Sequence, residues 1–212
     1  DPQHLLVGVI DYGFPSLTTY SSIDGGATWQ GPFQPPYPHE ELGTAGDPVV
    51  AFGRDSTAYT SFISINVREY TLGTLVAEAL VSSIAVSSSK NGGTAWQEAV
   101  ITSRSNVTSK LTGDPQHPLG TITFEFLDKP WMDVGPNPKD LAKDSIYVTY
   151  TKFAEEWRIF WLEDLAFLSN PVTFTTIEMV RSEDGGTTWS APLAVSPTMR
   201  RTFGGQAEPA EA

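Results

Sequence analysis

The chain has 212 residues, 40% of them hydrophobic and 18% charged, which is enough apolar surface for a packed domain and argues against disorder. A formal net charge of −12 disfavours a nucleic acid or a bare anionic membrane as partner, since binding either needs clustered Lys and Arg. The absence of cysteine excludes disulfides, thiolate metal sites and cysteine nucleophiles, and no run reaches the ~20 apolar residues of a membrane span.

The chain opens at Asp1 with no initiator Met, which reads as a processed or trimmed product. His4 to Tyr12 and Leu17 to Ser22 read as strands that lead into Ser22-Ile-Asp-Gly-Gly-Ala-Thr-Trp29, with a further strand from Trp29 to Phe33. Pro32 to Pro38 reads as a rigid connector. Asp47 to Phe52, a turn at Gly53 to Asp55, Thr57 to Ile65 and Ala79 to Ser89 then lead to Ser89-Lys-Asn-Gly-Gly-Thr-Ala-Trp96 and a strand to Thr102. Lys129 to Val134, Ser145 to Thr151 and Val172 to Ser182 lead to a third copy, Ser182-Glu-Asp-Gly-Gly-Thr-Thr-Trp189, and a strand to Val195. Asp-Gly or Asn-Gly between β-type runs is the strongest short-range hairpin signal, because the turn needs positive φ at its centre.

The repeated order is strand, strand, strand, hairpin, strand. It predicts an all-β chain of four-stranded antiparallel units at 46–110 and 111–198. An incomplete unit at 1–45 lacks its innermost strand, and 199–212 begins another, with Gln206-Ala-Glu-Pro-Ala210 as the start of its inner strand. Two stretches, Arg68 to Leu80 and Glu155 to Asn170, break the rhythm. In the second, Trp157, Phe160, Trp161, Leu165 and Leu168 fall at helical spacing, which predicts a short amphipathic helix. That helix would either pack on its own unit or dock a protein partner.

Residue chemistry gives the three turns an architectural role. Asp24 and Asp184 can accept from backbone N–H groups of their own turns, while Gly26, Gly93 and Gly186 allow left-handed backbone angles. Ser22, Ser89, Ser182, Thr28 and Thr188 offer hydroxyls, and Trp29, Trp96 and Trp189 offer large apolar bodies to wedge against a neighbouring sheet. The second copy has Asn91 and Ala95 in place of the acid and the threonine, so it should be the weaker clasp.

Ser-x-Asp-x-Gly-x-Thr-Trp resembles the Asp-box, or bacterial neuraminidase repeat, of sialidases and related β-propellers, and Asp128-Lys-Pro-Trp-Met-Asp133 also resembles a stretch of such secreted proteins. The resemblance implies about three blades of a six- or seven-bladed propeller with Asp-box hairpins, in an extracytoplasmic protein, secreted or periplasmic. It does not decide activity, because sialidases, other glycosidases and non-catalytic receptors share the box. A sialidase of this family would need three substrate-clamping arginines, a tyrosine nucleophile activated by a glutamate, and an acid/base aspartate. The arginine motif that precedes the first box is missing, since Asp1 to Thr19 holds no arginine.

Pro48, Pro130 and Pro209 are equivalent in the repeat, which makes Asp47, Lys129 and Glu208 equivalent as well. Asp47, Asp128, Asp133 and Glu208 are therefore the candidates for paired catalytic carboxylates or for calcium ligands, with capped turn residues as the plainer reading. No cofactor is required by any motif, and His4, His39 and His117 lack metal-ligand spacing. Two functions stay open: a non-catalytic binding or scaffold module that docks a protein or a glycan within a larger assembly, and a secreted exo-sialidase-like glycoside hydrolase whose catalytic residues lie partly outside these 212.

Overall fold

The computed structural model describes residues 1–11, 13 and 17–210. Those residues form an all-β chain of three antiparallel sheets, none of them closed on itself, and no helix long and apolar enough to cross a membrane. The first sheet joins β1 (Leu5–Ile10), β2 (Leu17–Ser22) and β3 (Gln30–Phe33) in chain order. The second joins β4 (Gly43–Phe52), β5 (Ala58–Leu72), β6 (Leu75–Ser89) and β7 (Val100–Arg104).

The third sheet is larger. It contains β8 (Val107–Thr112), β9 (Leu119–Asn137), β10 (Asp140–Leu162), β11 (Leu165–Leu168), β12 (Val172–Ser182), β13 (Leu193–Ala194), β14 (Met199–Thr202) and β15 (Glu208–Pro209). Its central path runs β15-β14-β12-β10-β9-β8, with β11 on β10 and β13 on β12. Because β8 pairs with β9, the third sheet begins at Val107, a few residues before the expected boundary at 110.

Register makes the three sheets comparable residue by residue. The serine that opens each repeat turn faces a fixed position of the preceding strand: Leu5 opposite Ser22, Ala58 opposite Ser89 and Ile146 opposite Ser182. Leu6, Tyr59 and Tyr147 are therefore equivalent, as are Thr19, Val86 and Met179. The same count aligns Val49 with Trp131 and Ala51 with Asp133.

The sheets lie face to face. Leu17 from the first meets Phe62 and Ala85 from the second in one apolar cluster, with Tyr37 of the proline-rich connector packed against it. Tyr59, Ile63, Ile84 and Val86 from the second meet Leu127, Met132, Ile146, Val148, Tyr150 and Val180 from the third in the larger one. Burying each large apolar side chain is worth about 1.5–3 kcal/mol, so these two interlayers are the main stabilising term.

The long connections depart from the sequence reading. No helix forms at 155–170: the segment continues β10, turns at Glu163 and Asp164, and returns as β11 with Phe160 opposite Phe167. The burial pattern shows why. Trp157, Ile159 and Trp161 are covered or half-covered, while Arg158, Phe160 and Leu162 are exposed, a period of two that the coincident spacing of Trp157, Phe160 and Trp161 conceals. Arg68 to Leu80 likewise extends β5 and β6 into one hairpin closed between Leu72 and Leu75. Both arms rest on the connection between β8 and β9. Thr74 donates to the Pro115 carbonyl at 3.0 Å, Trp161 Nε1 donates to the Pro118 carbonyl at 2.9 Å, and His117 lies 3.0 Å from Asp164.

At the C-terminal end, Glu208–Pro209 forms the short strand β15. It folds back on β14, with Arg200 opposite Glu208 and Met199 opposite Pro209. A strand needs a partner for its backbone groups, and the β14 edge is the one within reach of a short turn.

Candidate functional site

The three repeat turns are built alike. Their second glycines, Gly26, Gly93 and Gly186, have φ of 89°, 86° and 91°, a backbone region that costs glycine nothing. In the first turn Asp24 accepts from the Thr28 amide at 2.8 Å, from its hydroxyl at 2.6 Å and from the Ser22 hydroxyl at 2.8 Å. The third repeats these bonds with Asp184, Thr188 and Ser182 at 2.9, 2.6 and 2.8 Å. In both, the serine hydroxyl also accepts from the second glycine's amide at 2.9 Å.

Those donors stabilise the charged carboxylate. The Thr28 hydroxyl, its amide and the Ser22 hydroxyl pull Asp24 down to about 2, and the same set lowers Asp184. A folded-state value below the ordinary 3.8 means that the unfolded chain binds the proton more tightly. The stability these carboxylates contribute is complete above that ordinary value and is lost as pH falls through the folded one. A carboxyl-carbon NMR titration should therefore place the Asp24 midpoint near 2, and Asp24→Asn should remove its part of the acid-side loss of stability.

The second turn is weaker within itself, as its composition suggests. Ser89 still accepts from the Asn91 and Gly93 amides at 3.2 and 3.0 Å, but the carboxylate–threonine pair is gone. Bonds to the first sheet replace it. Ser21 and His4 both reach the Gly92 carbonyl, at 2.8 and 3.0 Å, and Trp96 Nε1 donates to the Thr19 hydroxyl at 2.9 Å. In the third turn the residue equivalent to Thr19 is the apolar Val86, so the Trp189 indole N–H donates instead to its own Gly186 carbonyl at 3.1 Å.

The predicted carboxylates each have a partner of their own. Asp47 lies 2.9 Å from Lys129 Nζ, so equivalent residues of β4 and β9 bind each other. Both sit at positive φ, 51° and 54°, just before their prolines, a conformation that non-glycine residues hold only where surrounding structure enforces it. The Asp47 carboxylate, by hydrogen bond and by charge, and then Asp128 hold the Lys129 ammonium above its ordinary value. Asp128 and Asp133 each accept from the amide that follows, at 2.9 and 2.8 Å, and Glu208 pairs with Arg200 at 2.9 Å. Among the described residues no three His, Asp or Glu side chains are grouped as a metal ion would require.

One group that sequence reasoning missed lies between the second and third sheets. The Tyr150 hydroxyl donates to Glu178 Oε2 at 3.0 Å and accepts from the Ser103 hydroxyl at 2.8 Å, while Lys152 lies 2.8 Å from the other Glu178 oxygen and 3.7 Å from Glu125. A tyrosine bonded to a glutamate is the pairing a sialidase nucleophile uses, but this one is 1% exposed, and burial pushes its phenol above the ordinary value. A nucleophilic phenolate needs the opposite shift and an open approach. The group is a buried tether between sheets. Burial alone would lower the Lys152 ammonium; the bond to Glu178 and the charges of Glu125 and Glu178 outweigh it and raise it.

A cleft of about 340 Å³ opens where the arms leave the sheets, lined by Leu80, Phe124, Phe126 and Phe153 with Glu125 and Glu155 beside them. The sequence signal for it is the pairing of Phe126 with Phe153 across β9 and β10, which the helical reading of 155–170 obscured. Of the expected docking residues, Phe160, Leu165 and Leu168 are exposed on the β10–β11 arm, with the Phe160 and Phe167 rings stacked at 5.5 Å. Trp157 and Trp161 are half-buried on its other side. No family model, curated protein or solved structure matches the chain.

Proposed function

We propose that this chain is a run of Asp-box propeller blades that serves as an extracytoplasmic binding or scaffold module and performs no glycoside hydrolysis. The Asp47–Lys129 ion pair carries the reading. Glycoside hydrolysis needs two carboxyls facing one bond, about 5–5.5 Å apart for retention or 6.5–9.5 Å for inversion. Here the inner-strand carboxylate is spent on the lysine of the neighbouring sheet, and Asp128, Asp133 and Glu208 have separate partners.

The two arms favour binding. They project apolar side chains and frame a cleft whose size and aromatic lining suit an apolar side chain of a partner protein better than a sugar, which calls for more hydrogen-bonding groups. The propeller reading draws support from the repeated register of the three turns and from their seating on the preceding sheet.

Purified protein assayed on a fluorogenic sialoside and a panel of aryl glycosides is expected to give no turnover. Turnover abolished by Asp47→Asn or Asp133→Asn would replace this reading with the hydrolase one.

A further inference from the structure

The residue that follows an asparagine decides what its side-chain amide can do. Asn137 and Asn170 precede prolines, which have no N–H to lose, and Asn66 and Asn106 precede valines, whose branched side chains crowd the nitrogen. Asn91, in the second repeat turn, precedes a glycine.

That turn leaves both reacting groups unengaged. At the equivalent position Asp24 is held by the Thr28 amide and hydroxyl, and Asp184 by those of Thr188. Among the described residues the Asn91 side chain has no hydrogen-bond partner, while its backbone amide donates to Ser89 Oγ at 3.2 Å and its carbonyl accepts from the Thr94 hydroxyl at 2.8 Å. The Gly92 amide has no acceptor among them either, whereas the equivalent Gly25 amide donates to the Gln3 carbonyl at 2.9 Å. Asn91 is exposed, so water reaches it. The bond from Thr94 to the Asn91 carbonyl draws electron density off the nitrogen of the same peptide unit, which eases loss of its proton.

We propose that Asn91 is a self-modifying site, at which the chain converts its own amide to a carboxylate. The Gly92 nitrogen gives up its proton and attacks Asn91 Cγ; the new C–N bond closes a succinimide ring, and ammonia leaves with the proton. One water then opens the ring. Breaking the bond from nitrogen to Cγ yields aspartate with the main chain unchanged. Breaking the bond to the main-chain carbonyl carbon yields iso-aspartate, with one more methylene in the backbone. One water is consumed, one ammonia is released, and nothing is oxidised or reduced.

The two products act in opposite directions. Aspartate places at 91 the acid that the other turns hold. A carboxylate accepts roughly twice as strongly as a neutral amide. The Ala95 amide and Ser89 hydroxyl stand where the Thr28 amide and Ser22 hydroxyl stand around Asp24, so this product closes the clasp. Iso-aspartate displaces Gly92, whose carbonyl takes the bonds from Ser21 and His4, and so loosens the seat on the first sheet. The reaction is independent of what the module binds.

The test is incubation of the native protein at neutral and mildly alkaline pH in heavy-oxygen water, followed by digestion and mass spectrometry. The peptide spanning Asn91 and Gly92 is expected to deamidate ahead of those carrying Asn66, Asn106, Asn137 and Asn170, to take up one heavy oxygen, and to convert within a fewfold of its rate in urea. Asn91→Gln, whose longer side chain closes a ring poorly, is expected to keep its mass. Asn91→Asp is expected to melt above wild type. A residue-91 peptide that stays unchanged in the native protein while it converts in urea, or another asparagine that converts first, would overturn the site. Conversion at Asn91 without a higher melting temperature for Asn91→Asp would overturn the closed clasp.

Discussion

Phe62→Ala is expected to destabilise the chain by about 3–5 kcal/mol, because a wholly buried phenyl would be replaced by a cavity that rigid sheets on both sides cannot close. Phe62 lies on β5 and packs with Leu17 of the first sheet, Ala85 of the second and Ala99 just before β7, so it is the wedge between these two layers. A domain of this kind has a total stability of only about 5–15 kcal/mol, which makes the loss a large part of the whole. Urea unfolding read by tryptophan fluorescence should show a lower midpoint with an unchanged slope. A loss under about 1 kcal/mol would mean that the first two sheets do not share a core. Phe62→Leu, which keeps most of the volume, should cost about 1 kcal/mol.

Glu178→Ala is the second large effect, again about 3–5 kcal/mol, and its origin is electrostatic. Glu178 is buried and takes the Tyr150 hydroxyl on one oxygen and the Lys152 ammonium on the other. Removing it leaves Lys152 with only the more distant Glu125, and leaves Tyr150 with Ser103 alone. Glu178→Gln keeps the shape and one acceptor and should cost less, about 1–3 kcal/mol. Adding Lys152→Met to Glu178→Ala should recover part of the loss, since the orphaned charge goes with it. If the double variant is as unstable as the sum of the single ones, the pair does not act as a unit. The same experiment bears on function, because a tyrosine that holds two sheets together is not one that attacks a substrate.

The Asp-Gly and Asn-Gly hairpins, the all-β class and the equivalence of Asp47 with Lys129 were legible in the residues themselves. Each rests on local chemistry: a glycine at positive φ, a serine and an acid that close a turn, a proline at a fixed offset. The arm at 155–170 was misread for the same reason. Spacing over a dozen residues fits two periods at once, and the choice between them was made by strands far along the chain, Thr121 to Phe126 on one side and Val172 to Thr176 on the other. The fold-back of Glu208–Pro209 onto β14 has a similar cause, an edge whose position no local motif records.

For the candidate site the division is sharper. The sequence by itself determined which residues could carry charge at the inner-strand starts, and which turns could form without their neighbours. Only the tertiary structure decided that Asp47 meets Lys129, that Tyr150 and Glu178 meet in the dark between two sheets, and that Trp96 finds a hydroxyl where Trp189 finds a valine. A turn closes on atoms a few bonds away, and so its own residues specify it. An ion pair or an interlayer contact joins groups tens of residues apart, and its partner is set by how the sheets stack.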